Sequence, residues 1–183
     1  MKKRIILLTG APGVGKTSVL LRVIDCLRSR GYSVGGMVSQ DVRVGNSRVG
    51  FEVLDIGTGR KGWLARVAQK EGPQVGRYRV NIGDLDNIGA TAIADAVANS
   101  AVVAIDEIGP MELCSQKFKD VVGKAVESSK LVLCVVHWKA ADNLASEIRG
   151  RDDAEIIVVS IENRGRIDTY VCEKAVGFLS ESP

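Results

Sequence analysis

The chain has 183 residues, 45% apolar, 26% charged and only 4% aromatic, with a net charge of +3. That length is one ordinary domain, 1–183, able to hide roughly 70% of its unfolded surface. So weak a charge permits contact with nucleic acid or an acidic membrane but argues for neither, and no run of like charges forms a tail.

With so few aromatics the core must be built from Val, Ile, Leu and Ala, which suits a parallel sheet covered by helices. The start, MKKRIILLTGAPG, has the positive-then-apolar look of a signal peptide. Its apolar run is only residues 5–8, and no A-x-A site follows. "RIILLT" reads instead as a strand, followed by a Gly-rich turn and a helix. In that helix Val19, Leu20, Val23, Ile24 and Leu27 recur on one face, and Gly31 is placed to end it.

From 34 to about 82 the texture changes. Glycines are frequent, helix formers few, and short segments alternate. "GGMVSQDVRVGNSRVGFEVLDI" reads as two antiparallel strands around "VGNS". "GRYRVNI" reads as another strand, with Tyr78 and Val80 on one face and Arg77 and Arg79 on the other. A hairpin-rich excursion beside the main sheet is expected here.

Strand and helix then alternate again. "DLDNIGATAIADAVAN" predicts a helix with Asp84 as its cap. "AVVAI" predicts a strand, "SQKFKDVVGKAVES" a helix capped by Ser115, and "KLVLCVV" a strand. "DNLASEIR" predicts a short helix, "EIIVVS" a strand, and 164–179 a last helix. The pattern predicts an α/β fold of the P-loop NTPase type, a mostly parallel sheet flanked by helices. No stretch approaches the ~20 apolar residues of a membrane helix. A monomeric, cytoplasmic protein without membrane contact is expected. Cys26, Cys114, Cys134 and Cys172 lie far apart without a C-x-x-C pair, and His137 is the sole histidine. Reduced thiols, and no structural zinc, are expected.

"GAPGVGKT", residues 10–17, matches G-x-x-x-x-G-K-[ST] in full and sits between strand and helix. Glycines let the loop wrap so that its N–H groups converge. The helix N-terminus adds partial positive charge. Lys16 is placed for the β- and γ-phosphates and Thr17 for Mg²⁺. A dinucleotide fingerprint is disfavoured: Ser18 stands where a third glycine belongs, and the Lys-Thr pair has no use there.

"VVAIDEIGP" runs four apolar residues, 102–105, into two adjacent acids. A buried carboxylate is costly without a partner. At the carboxyl edge of a parallel sheet, Asp106 gains one by holding Mg²⁺, through water. Glu107, one position further, can face the γ-phosphate and polarise a water for in-line attack. The same stretch spells D-x-x-G, but no N/T-K-x-D accompanies it, and "WKAADN" does not fit. A guanine-specific switch is therefore disfavoured. For extra positive charge in the transition state, "SEIRGR" offers Arg149 first and Arg151 second. "ENRGR" adds Asn163, Arg164 and Arg166. His137, at a strand end, reads as a capping residue more than a phosphate sensor.

The segments "LLTGAPGVGKTS", "RVGFEVLDI", "VGRYRV", "IDEIGPMEL", "SEIRGR" and "ENRGR", in that order, resemble the small P-loop nucleoside-triphosphatase family first described from thermophiles, whose relatives include the vertebrate cancer-related nucleoside-triphosphatase. The resemblance spans nearly the whole chain. It implies a fold related to RecA-type ATPases and nucleotide kinases, and Mg²⁺-dependent hydrolysis of several nucleoside triphosphates to diphosphate and phosphate. By position it implies a nucleotide-contacting set of Gly10, Ala11, Pro12, Gly13, Val14, Gly15, Lys16 and Thr17 with Ile105, Asp106, Glu107, Ile108 and Gly109. Thr17 and Asp106 are its metal residues, and Lys16, Glu107 and Arg149 the catalytic ones. Many relatives carry Lys after the Gly of "DEIG"; here it is Pro110. Two other functions stay open at this point. One is a kinase for a nucleotide, nucleoside or nucleic-acid end. The other is a nucleotide-gated binding module using 35–81, with only the Arg77 and Arg79 face in its favour and few aromatics for stacking.

Overall fold

The computed structural model describes residues 3–138 and 142–181. The basic first two residues, and 139–141 of "WKAADN", lie outside that range. Strand β1 (Ile5–Thr9) leads through the glycine loop into α1 (Lys16–Ser29). Then come β2 (Val34–Val44), β3 (Ser47–Asp55), β4 (Lys61–Arg66), β5 (Gln74–Val75) and β6 (Tyr78–Val80). A helical segment follows: α2 (Ile82–Asp84), a π turn (Leu85–Ala90) and α3 (Thr91–Asn99). The remainder alternates: β7 (Val102–Ile108), α4 (Gln116–Glu127), β8 (Leu131–Val136), α5 (Asn143–Arg149), β9 (Ala154–Val158) and α6 (Ile167–Ser180).

One sheet carries all nine strands in the order β5-β6-β4-β3-β2-β7-β8-β1-β9. The run β2-β7-β8-β1-β9 is parallel. The hairpins extend this same sheet antiparallel. β2 is the joint. It pairs with β7 only from Val34 to Met37, while its pairing with β3 continues to Val44. Seven residues of β2 thus run past their last partner on β7, an overhang of roughly 20 Å at strand rise.

Alternation along each buried strand feeds two cores. Ile5 and Leu7 of β1 pack with α3, α4 and α5 on one face, while Ile6 and Leu8 pack with α1 and α6 on the other. Ser115 caps α4, accepting from Phe118 N–H at 2.9 Å. Asp84 does not cap its helix. Asn81 does, and the Asp84 carboxylate instead accepts the Trp63 N–H of β4 at 2.8 Å. The last helix starts at Ile167, later than the expected 164, because Asn163 and Ser160 exchange side-chain bonds with each other's backbone N–H and hold a turn.

The cysteine expectation fails at one pair. Cys26 of α1 and Cys172 of α6 form a disulfide with Cα atoms 6.4 Å apart. The disulfide joins the two helices at the core that Val23 and Val171 share. Cys114 and Cys134 are free. Among the described residues no helix is long and apolar enough to cross a membrane.

Candidate active site

The glycine loop leaves β1 at Gly10 (φ 152°) and enters α1 at Gly15 (φ 106°). A Cβ on Gly10 would sit 2.4 Å from the Val159 carbonyl oxygen, so only glycine fits where the loop passes the residue that follows β9. No side chain caps α1, and its first turn carries no acid. Its N–H groups and dipole are therefore left for an anion. Lys16 is buried, and its Nζ donates to Gly10 O and Ala11 O, both at 3.2 Å. The ammonium is parked on the loop's own carbonyls.

β7 brings the two acids to this loop. Asp106 is fully buried, and its Oδ1 accepts the Thr17 hydroxyl at 3.2 Å. Its Oδ2 is buried without a hydrogen bond. Desolvation, reinforced by the Glu107 charge and opposed by Thr17, pushes the carboxyl up to about 7. β7 slips one register against β8 between Asp106 and Ile108, so Glu107 is the extra residue; the Asp106–Glu107 peptide is cis. Glu107 is half-buried and lines a cleft of about 470 Å³ with Gly13, Lys16 and Thr17. Ile105 and Ile108 are wholly inside the core and present no surface to a ligand.

A hydroxyl and an orphaned buried carboxylate oxygen are the hard oxygen donors Mg²⁺ takes. Among the described residues no three His, Cys, Asp or Glu side chains converge on a metal position. That donor set fits Mg²⁺, which usually takes one or two protein carboxylates and completes its shell with water and substrate phosphate.

The arginines are distributed differently from the sequence reading. Arg151 binds Glu127 and Asp153, and Asp153 also pairs with Arg4 just before β1. It holds the amino edge of the sheet, opposite the glycine loop. Arg149 donates to the His137 carbonyl at 2.7 Å, so it stands behind a residue that does line the cleft. Arg164 reaches the Val14 carbonyl at 3.4 Å and flanks the loop beside Gly15. Asn163 is spent on its own turn and on the Val158 carbonyl. The guanidinium in the cleft wall is Arg48, from β3 of the overhang, held by Asp41 at 2.6 Å. Its signal was present in "RVGF" but pointed to no role. Arg77 and Arg79, the expected basic face, donate to the carbonyls of Arg48 and Gly72.

Glu112 was also passed over. It is 5% exposed, and burial, aided by the charges of Glu107 and Asp106, pushes it up to about 8. A Cβ placed on Gly109 would lie 3.2 Å from both Glu107 Oε1 and Glu112 Oε2, so the two carboxyls converge on the space this glycine leaves open.

A family model described as NTPase matches residues 5–172. The chain belongs to the THEP1 nucleoside-triphosphatase family. It is 46% identical over 183 residues to the nucleoside-triphosphatase THEP1 of Thermofilum pendens, with 98% of this chain and 100% of that one covered. The THEP1 of Methanothermobacter thermautotrophicus is 44% identical, over 88% of this chain and 90% of its own. Two solved structures share the fold at TM-score 0.80. THEP1 from Aquifex aeolicus is 29% identical, covering 91% of this chain and 96% of its own. A human cancer-related nucleoside triphosphatase is 32% identical, covering 98% and 100%. The mostly parallel α/β sheet flanked by helices is the THEP1 fold, antiparallel extension included.

Proposed function

We propose that the protein is a Mg²⁺-dependent hydrolase that converts nucleoside triphosphates of all four bases (ATP, GTP, CTP and UTP) to diphosphate and phosphate. Membership of the THEP1 family makes it a nucleoside-triphosphate phosphatase. The observation that carries the mechanism is Glu107, displaced from the strand register next to buried Asp106 and lining the cleft that Lys16 also lines.

In this reading the amides of residues 10–17 and the α1 N-terminus bind the phosphates. Lys16 exchanges its loop carbonyls for the β- and γ-phosphate oxygens. Thr17 and Asp106 hold Mg²⁺, which when bound neutralises charge on the β- and γ-oxygens. Glu107 accepts the proton of the attacking water. Arg48 adds positive charge from the cleft wall, and Arg149 sets the His137 edge from behind. Broad base use is what the family resemblance implies; the cleft offers Ser39, Gln40, Asp41 and His137 beside the phosphate loop, Glu107 and Arg48. We treat the chain as a monomeric, cytoplasmic, single-domain enzyme. The binding-module alternative loses its main support, because Arg77 and Arg79 are engaged within the fold. Turnover of the four triphosphates, with and without Mg²⁺, tests the reading. Phosphate release only with Mg²⁺, at kcat/KM values within about tenfold across bases, supports it. A preference for one base beyond what one or two hydrogen bonds supply, about 10²-fold, contradicts the broad specificity.

A further inference from the structure

Beyond Glu107 the phosphate cleft opens into a second hollow of about 260 Å³. The two share Ser39, Phe51, Glu107 and His137 as common wall, so Glu107 stands between the phosphate loop and the hollow. The inner walls are apolar: Leu64 and Val75 from the antiparallel strands, Pro110 and Met111 from the turn after β7. Phe51 packs T-shaped against Tyr78, with ring centroids 5.1 Å apart, and carries the Arg48 guanidinium 5.3 Å from its own centroid. Glu112 lines the same hollow.

Hydrolysis uses Glu107 but none of these apolar walls. It has no use either for Glu112, whose buried carboxyl accepts from the backbone at Glu112 and Gly109. The arrangement of a few polar groups, Ser39, Glu107, Glu112 and His137, among apolar and aromatic walls is that of a small-molecule site. The volume is at the low end for a ligand pocket and takes a flat ring, with the rest of the molecule extending into the opening toward Glu107.

We propose that this hollow is a phosphoryl-acceptor subsite for a nucleoside, with the base against Phe51 and Glu112 and a ribose hydroxyl facing Glu107. The inference rests on the nucleotide and Glu107 roles given above. The acceptor class follows from Glu112. Burial raises it, which favours the neutral carboxyl. A neutral carboxyl presents an O–H donor beside a C=O acceptor. The amide-like and amidine-like edges of nucleobases present the complementary acceptor and donor side by side. The transfer balances without another reactant. The hydroxyl oxygen bonds to the γ-phosphorus as the β–γ bridging P–O bond breaks. The hydroxyl proton passes to Glu107, and the electron pair leaves on the nucleoside diphosphate. The product is a nucleoside monophosphate.

Met111 allows a direct test. The chain has three methionines, Met1, Met37 and Met111. Met37 is sealed in the core and serves as the internal control. Methyl-labelled protein with Mg-ADP is titrated with adenosine, guanosine, cytidine and uridine. In parallel, γ-labelled ATP is turned over with each nucleoside. The expected result is a saturable shift of the Met111 methyl with at least one nucleoside, a still Met37, and label in that nucleoside's monophosphate. Glu112→Met should weaken that binding about 10-fold or more, whereas Glu112→Gln, which keeps a donor beside an acceptor, should stay within a few-fold of wild type. A Met111 methyl unmoved by all four nucleosides overturns the subsite. So does a shift that Glu112→Met leaves intact. Binding without labelled monophosphate overturns the acceptor role. In each of those cases free phosphate still appears, and the hydrolase reading stands. Absence of phosphate and of monophosphate alike would instead remove the hydrolase reading beneath it.

Discussion

The Thr17 hydroxyl donates to Asp106 Oδ1 across 3.2 Å and leaves Oδ2 buried without a hydrogen bond. The helix that follows the phosphate loop and the strand that ends at the cleft are thereby tied through the two groups a Mg²⁺ ion would use. Asp106→Asn keeps the shape and removes the charge. In a titration of turnover against Mg²⁺, the half-saturating concentration should rise at least about 10-fold, the scale of losing a charge-assisted contact.

Arg48 stands in the cleft wall, and Arg149 stands behind His137. Arg48→Ala should lower kcat by about 10²-fold or more, with a smaller change in KM, because its charge matters most when the γ-phosphate departs. Arg48→Lys should recover little, since a planar fork matches phosphate and an ammonium does not. Arg149→Ala should cost less, about 10-fold, through a loosened His137 segment. Steady-state kinetics of the three variants decides between Arg48 and Arg149 as the arginine that serves the transition state.

Glu112 sets a pH dependence of stability. Its folded pKa, about 8, lies above the ordinary value of 4.5, so the folded state holds the proton more tightly than the unfolded chain. Its contribution is complete below about 4.5 and declines as pH rises toward 8. Glu112→Gln should remove that decline. Thermal unfolding without nucleotide should give nearly equal Tm for variant and wild type at pH 5, and a higher Tm for the variant at pH 9.

The Cys26–Cys172 disulfide closes a separation of 146 residues between α1 and α6. Chain entropy alone makes such a link worth up to about 5 kcal/mol. Reduction, or Cys26→Ser, should lower Tm, by up to about 10–20 °C on the scale of about 2–4 °C per kcal/mol. Arg22 supports the same seam through Asp168 at 2.8 Å, so the folded arrangement should survive. Differential scanning calorimetry with and without reductant measures the difference.

What the sequence made legible was local and contiguous. Residues 10–17 carry loop, lysine and hydroxyl in one run, and 102–107 carry strand and both acids in another. Ser115 stood directly before its helix. What stayed hidden depends on distant parts of the chain. Arg48 enters the cleft only because β2 outruns β7 past Met37 and carries β3 with it. Glu112 reads as a surface acid in a turn, and its burial is decided by walls from 51, 64 and 75. β4, laced with Lys61, Gly62 and Arg66, has no clear strand pattern of its own and is a strand because β3 and β6 flank it. Cys26 and Cys172 lie on faces that meet only after the sheet has formed.

Glu107 as the hydrolytic base is the central claim, and the Glu107→Gln variant tests it most directly. Wild type and variant are given Mg-ATP, and products are resolved alongside nucleotide binding. The account predicts a loss of about 10²-fold or more in phosphate release with nucleotide affinity nearly unchanged. Near-wild-type phosphate release in a variant that still binds Mg-ATP would contradict it, and would leave Glu107 as a wall residue of the cleft with no part in activating water.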